Sequence, residues 1–268
     1  MTNELSTIGQ LKTMLGSENV KRRFSEIMGG KAAGFTSSVL SVVGNNSLLQ
    51  KAEPQSVLNS AVIAATLDLP VNSNLGYSAI VPYNDRHTGK CTAQFQLMYK
   101  GLIELCQRSG QFKTMIDNVV YEGEMVKGNR FTGEYEFDPT CRKSDKVIGY
   151  MAYFKLLNGF EKFAYMDVEE VQKHAQKYSQ TYKSGYGVWK DNFDVMARKT
   201  VLKLLLSKYA PKSIEMQRGI VFDQAVVKGD LITEGANIDD AEVEYVDNDK
   251  KDGLAEMAEK AAITDKEK

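Results

Sequence analysis

Long apolar runs are what this sequence most plainly lacks. No stretch comes near the roughly 18 consecutive apolar residues that a membrane-spanning helix needs, so no membrane association is expected. Cysteine is sparse: Cys91, Cys106 and Cys141 are odd in number and scattered, which fits reduced thiols in a cytoplasm better than a disulfide framework. The opening MTNELSTIGQLKTML carries an acid early and no positive region ahead of an apolar core, so no secretory signal is expected. The two histidines, His87 and His174, have no cysteine or carboxylate at zinc-ligand spacing. The phosphate loop G-x-x-x-x-G-K-[ST] is absent. TGKCT (88–92) has Gly-Lys, but Asn84 stands where the first glycine belongs, and MGGKAAG (28–34) fails the spacing. A Walker-type ATPase is thereby disfavoured, and no G-x-S-x-G or H-E-x-x-H offers a hydrolase. A magnesium nuclease needs clustered carboxylates. The nearest candidates, Glu134, Glu136 and Asp138 in EYEFD, alternate as acids do on a solvated strand face.

Net charge is also nearly absent, at −1, but this hides a division. Residues 229–268 hold 13 acids and 5 lysines, a net of −8, which leaves 29 basic and 22 acidic residues in 1–228, a net of +7. A basic body with an acidic tail suits a polyanion-binding protein. Three regions are expected: 1–50, helical; 51–228, the core; and 229–268, an acidic tail, disordered or partner-docking.

Hydrophobic periodicity places the elements. ENVKRRFSEIM (18–28) sets Val20, Phe24, Ile27 and Met28 against Lys21, Arg22 and Arg23. GFTSSVLSVVGNNSLL (34–49) is a short apolar helix. PQSVLNSAVIAATLDLP (54–70) starts on a first-turn proline, stops at Pro70 and carries a narrow stripe of small apolar residues. Residues 77–101 read as two strands joined by NDRHTGK, then a helix in KGLIELCQRSG ending at Gly110. Mixed strand material runs from Phe112 to Val126. VIGYMAYFKLLNGFEKFAYM (147–166) is a hairpin turning on the two-residue pair Asn158-Gly159. A charged helix (167–179) and the loop QTYKSGYGV follow. Helices first, antiparallel strands in the middle and a long helix behind them give an α+β class, with small antiparallel sheets and hairpins packed on that helix and a flexible acidic tail.

WKDNFDVMARKTVLKLLLSKYAP (189–211) is that helix. On a wheel of about 100° per residue, Val195, Leu202, Leu205 and Tyr209 share one face, Arg198 points the same way, and Asp194 lies four residues before it, able to pair. Trp189, Asn192, Met196, Lys199, Thr200, Lys203 and Ser207 take the other side. Cations elsewhere come beside rings: Tyr99-Lys100, Lys177-Tyr178, Tyr182-Lys183 and Trp189-Lys190. Phosphates take charge and bases stack on rings, so this pairing suits a single strand. Amides such as Gln96 add hydrogen bonds without strong sequence choice.

Three blocks then carry a resemblance: SVLNSAVIAATLDLPVNSNLGYSAIVPY (56–83), FQLMYKGLIELCQRSG (95–110) and W-x-x-x-F-D-x-M-A-R-K-T-V-L-K-L-L-L (189–206). In order and spacing they resemble the RecT/Red-beta family of phage single-strand annealing proteins. The resemblance implies an ATP-independent recombinase of a phage or prophage, working in the cytoplasm of a bacterial host. It would bind single-stranded DNA and the annealed duplex intermediate and form rings or helical filaments. Its partners would be a phage 5′–3′ exonuclease and the host single-strand-binding protein. It would need no ATP and no cofactor, with magnesium at most a DNA counterion, and would not be an enzyme. Phosphate contacts carry over to Arg198 and Lys199 in the third block, with Lys203 one turn on, and to Tyr99, Lys100 and Arg108 in the second. Gln96, Lys177, Tyr182, Lys183, Trp189 and Lys190 complete the expected DNA-binding set. A metal-dependent phage nuclease and a self-assembling structural phage protein are the competing readings.

Overall fold

A computed structural model describes residues 7–84, 89–183, 185, 187–211, 213–232 and 236–245. His87 with most of its NDRHTGK connector, Tyr186 and the chain from 246 on, including the helical turn read at 254–262, lie outside the described residues. The described residues group into two compact units. One takes the chain up to Leu105 and again from Ile214; the other takes Cys106–Ser213.

The first unit begins with α1 (Thr7–Gly16), α2 (Glu18–Met28), α3 (Ala32–Gly44) and α4 (Pro54–Thr66). Val20 and Phe24 of α2 are buried, as its period demands. Proline opens α4, whose missing N–H costs nothing in a first turn. Residues 56–65 of α4 are buried all round, so the helix is a core rod and not the bearer of a narrow stripe. Its polar groups are therefore paired. Ser56 Oγ donates to Glu53 O and accepts from Ala93 N–H (2.6 and 2.8 Å), and Ser60 Oγ donates to Ser56 O (2.8 Å). Next come β1 (Ser78–Asn84) and β2 (Cys91–Leu97), antiparallel with Ser78 opposite Leu97, then α5 (Tyr99–Arg108). Phe95 and Leu97 of β2 are buried, and the strand packs on α4.

The second unit is built on β3 (Phe112–Tyr121), β4 (Met125–Asn129), β5 (Glu134–Phe137), β6 (Val147–Leu156) and β7 (Glu161–Asp167). β3, β6 and β7 form an antiparallel sheet with β6 central, and β4–β5 is a separate hairpin. Alternation along β6 buries Tyr150, Ala152, Phe154 and Leu156 on one face. The β6–β7 turn differs from the two-residue form expected. Leu156 N–H bonds Phe160 O (2.8 Å), so three residues, Leu157, Asn158 and Gly159, make the loop, and Gly159 alone is left-handed (φ 90°). That is a type I turn closed by a glycine bulge, the next commonest hairpin. α6 (Val168–Tyr178) follows, started by a capping box in which Asp167 accepts from Glu170 N–H (2.7 Å) and Glu170 from Asp167 N–H (3.1 Å).

The long helix expected from Trp189 is broken. α7 (Gln180–Lys183) and α8 (Val188–Asp191) are single turns; Asn192 leaves helical geometry (φ −143°, ψ 59°), and α9 (Phe193–Tyr209) starts afresh. α9 lies against β6, β7 and β3, burying Ala197, Val201, Leu202, Leu205, Leu206 and Ser207. Two residues placed on the core side of the wheel are exposed, Val195 (52%) and Tyr209 (37%), while Trp189, placed opposite, is only 7% exposed.

The chain then returns to the first unit through α10 (Ile214–Phe222), β8 (Val226–Val227) and β9 (Val243–Glu244), which pairs with β8. Leu231, Ile232 and Ile238, expected in the tail, are buried. Buried Asn59 of α4 holds the start of this segment: its Nδ2 donates to Gly229 O (2.9 Å) and its Oδ1 accepts from Leu231 N–H (3.3 Å). The architecture is α+β, as read from the sequence.

Candidate nucleic-acid interface

Gln96, Tyr99 and Lys100 belong to the first unit; the other nine candidates belong to the second. Gln96 is half-buried on β2, opposite Ala79. Tyr99 is half-buried and Lys100 exposed at the start of α5. Backbone packing sets that start. Lys100 N–H donates to Gly76 O (3.0 Å), and a Cβ on Gly101 would stand 2.0 Å from Tyr77 O, so only glycine fits.

In the second unit Arg108 is exposed in the last turn of α5. Lys177 and Tyr182 meet in a shallow open hollow of about 440 Å³ lined also by Glu169, Gln172, Lys173 and Gln176. Lys173 is held by Glu169 (2.6 Å), and the Lys177 ammonium lies 4.8 Å from the Tyr178 ring centre. Lys183 and Lys190 are exposed. Trp189 is not a ring offered to solvent. It packs with Tyr182 (5.7 Å between centroids) and Phe193 (5.6 Å), and Phe193 meets Tyr150 (6.1 Å). This cluster anchors the broken start of α9.

Arg198 is placed as expected, toward the sheet, but its partner is different. Its Nε donates to Asp117 Oδ2 (2.7 Å) and its Nη2 to Asp117 O (3.2 Å). Asp117 comes from the centre of β3, where register sets it beside Ala152, and its side chain is 5% exposed against 36% for Arg198. Asp194, the partner read from helical spacing, instead accepts from Tyr150 Oη (2.6 Å). Burial first, then the Asp194 carboxylate, drives the Tyr150 phenol well above its usual range, so it stays a donor. The spacing allowed Asp194; the sheet supplied a carboxylate already desolvated and fixed. Lys199 and Lys203 are half-buried and already engaged with neighbours, not solvated on an open face.

The remaining chemistry is spare. Glu134 and Glu136 are exposed on β5, and Asp138 caps the next turn. The Thr140 hydroxyl and amide hold the Asp138 carboxyl below its usual range. Among the described residues no three His, Cys, Asp or Glu side chains gather as a metal site, and no helix is long and apolar enough to cross a membrane. Burial pushes the Cys106 thiol up to about 12, so it is an inert core group.

The three sequence blocks fold within these two units, and they place the chain among the single-strand annealing proteins of DNA recombination. The chain belongs to the RecT family, whose family model matches residues 33–246. It is similar to the uncharacterized protein YqaK of Bacillus subtilis (strain 168), 48% identical over 211 residues, covering 79% of this chain and 71% of YqaK. It is also similar to Protein RecT of Escherichia coli (strain K12), 29% identical over 185 residues, covering 66% of this chain and 65% of RecT.

Proposed function

We propose that this chain binds single-stranded DNA through the exposed cations of both units, assembles on it and pairs complementary strands without ATP. The observation that carries the reading is the family match, which extends from α3 of the first unit through the whole second unit and back to β9. Exposed Lys100, Arg108, Lys177, Lys183 and Lys190 supply phosphate contacts; Arg198, fixed by Asp117, supplies an oriented one. Assembly as rings or filaments, a 5′–3′ exonuclease that makes the strand and a host single-strand-binding protein that yields it complete the reading. The test mixes purified protein with two complementary oligonucleotides, with and without ATP and magnesium. Full-rate annealing without ATP, and intact oligonucleotides with magnesium, are expected. An ATP requirement would reject the reading; magnesium-dependent digestion would replace it with a nuclease.

A further inference from the structure

The second unit carries a strip of cations and rings that shares no residue with the candidates above. The β4–β5 turn holds Phe131 at its tip, 88% exposed. Such a ring gains nothing from water, yet the turn is built to present it. Asn129 Oδ1 accepts from the Phe131 and Thr132 amides (3.0 and 3.4 Å), Asn129 O accepts from Gly133 N–H (2.8 Å), and Gly133 is left-handed (φ 71°). The hairpin behind it is anchored by rings: Tyr135 meets Tyr165 (5.8 Å) and Phe137 meets Phe163 (6.2 Å).

Cations flank the ring. The Arg130 guanidinium lies 5.1 Å from its centre. Lys162 Nζ donates to Thr132 O (3.4 Å) and lies 5.4 Å from the centre of the Tyr209 ring, which also has Lys208 Nζ at 5.1 Å. Lys162 thus joins the turn to the end of α9. Among the described residues none of these three cations has a carboxylate within ion-pair distance, whereas nearby Lys155 is held by Glu161 (2.8 Å). The acids of the hairpin itself, Glu134 and Glu136, lie on β5, with Glu134 opposite Asn129 and Glu136 opposite Lys127, and Glu170 of α6 lies near Tyr135 behind the turn.

We infer that Arg130, Phe131, Lys162, Lys208 and Tyr209 form a second contact strip for single-stranded nucleic acid, with a base stacking on Phe131 and the cations taking phosphates. The inference rests on the strand-binding reading above. A cation over one face of a ring leaves the other face for a base, and flat bases stack without regard to sequence. Rings and arginine are also common in protein interfaces, but lysine is depleted from interface cores, and two of the three cations here are lysines, which favours a polyanion. A preordered turn also loses little freedom on binding.

The test uses the full chain, with oligo-dT and an abasic deoxyribose-phosphate strand of the same length, titrated at several salt concentrations. Phe131→Ala is expected to weaken oligo-dT binding about ten-fold, the order of one stacked base, without changing the salt slope or abasic binding. Phe131→Trp restores affinity, and its new fluorescence is quenched by oligo-dT above the constant signal of buried Trp189. Arg130→Ala with Lys208→Ala reduces the log–log salt slope by roughly 0.7 per cation. The inference is overturned if Phe131→Ala binds both strands like the parent, or if it changes the sedimentation of the DNA-free protein, which would make the ring a contact between copies. Failure of the parent to bind either strand would overturn the strand-binding reading itself.

Discussion

Asp117 decides what Arg198 can do. A guanidinium held through Nε by a buried carboxylate and through Nη2 by the same residue's backbone carbonyl has its plane fixed, and the edge outside those two bonds is aimed without further ordering. Arg198→Ala strands a desolvated carboxylate and is expected to cost about 3 kcal/mol, the low end for a buried pair because Arg198 is 36% exposed. Arg198→Lys keeps the charge but not the fork, so it should melt between parent and Ala variant and bind single strands less tightly than the parent; thermal melts beside titrations check both. Asp117→Asn separates the two roles. If Arg198 serves only the fold, this variant melts early yet binds DNA with the parent's salt slope. A second residue pair sets an acid limit. Arg218 grips Asp239 through two bonds (both 2.6 Å), and that hydrogen bonding holds the Asp239 carboxyl below its usual range. A depressed folded pKa adds stability above the unfolded value, about 4, that is lost as pH falls through the folded one. Asp239→Asn should therefore be less stable than the parent at neutral pH, with the gap closing in denaturant melts below about pH 4.

At the scale of elements, α4 is buried all round whereas α9 buries one side, and neither placement is fully legible in the sequence. α4 announces itself through Pro54 and small apolar residues, yet its burial on every side depends on Asn59, Ser56 and Ser60 finding partners far along the chain. Asn59→Leu leaves the Gly229 carbonyl and Leu231 amide without their partner, an expected cost of about 1–3 kcal/mol. Ser60→Ala, whose bond is local to the helix, should cost less than half of that. Equal costs, measured by urea denaturation, would mean that the segment after Val227 is not held through Asn59. For α9, a wheel that begins at Trp189 assumes one continuous helix. The stop at Asn192 resets the phase, so Trp189 could not be placed relative to residues after it. Val195 and Tyr209 lie outside the core for another reason: the buried arc is centred on Val201, Leu205 and Ala197, and apolar residues at its margins remain exposed. α2, β1, β2, β6 and β7 were legible because amphipathic or alternating patterns sit between clear turn signals. Asp117 as partner of Arg198 was not legible, since pairing between residues 81 apart is set by sheet register and not by local spacing.

At the scale of the molecule, the acidic end divides in two. Of its 13 acids, six fall in 229–245 with no basic residue, while 246–268 holds seven acids and five lysines, a net of −2. Acids of the first stretch are engaged within their own unit: Asp230 accepts from Gln55 (2.9 Å), Asp239 from Arg218, and Glu244 lies 3.4 Å from Lys228. An acidic tail competing with DNA is therefore weaker than composition suggests. Removing 246–268 is expected to leave melting and the salt dependence of strand binding nearly unchanged, whereas removing 229–268 takes Leu231, Ile232, Ile238 and β9 from the core and should prevent the first unit from folding. Circular dichroism of the two truncations, followed by titration of the folded one, checks this. A large gain in affinity on removing 246–268 alone would restore the competing tail.

The closure of α4 by residues some 170 positions later also sets an order of events during synthesis. Residues 106–213 are contiguous, so the ribosome delivers everything the sheet and α9 need before α10 has emerged. The first unit, begun earlier, must wait for its last buried side chains. Until then an apolar rod with an unpaired amide stands in the nascent chain, the kind of surface that holding chaperones bind. A ribosome stalled so that Ser213 has cleared the exit tunnel while 229–245 is still inside it should therefore display a protease-resistant second unit behind a protease-sensitive amino-terminal one.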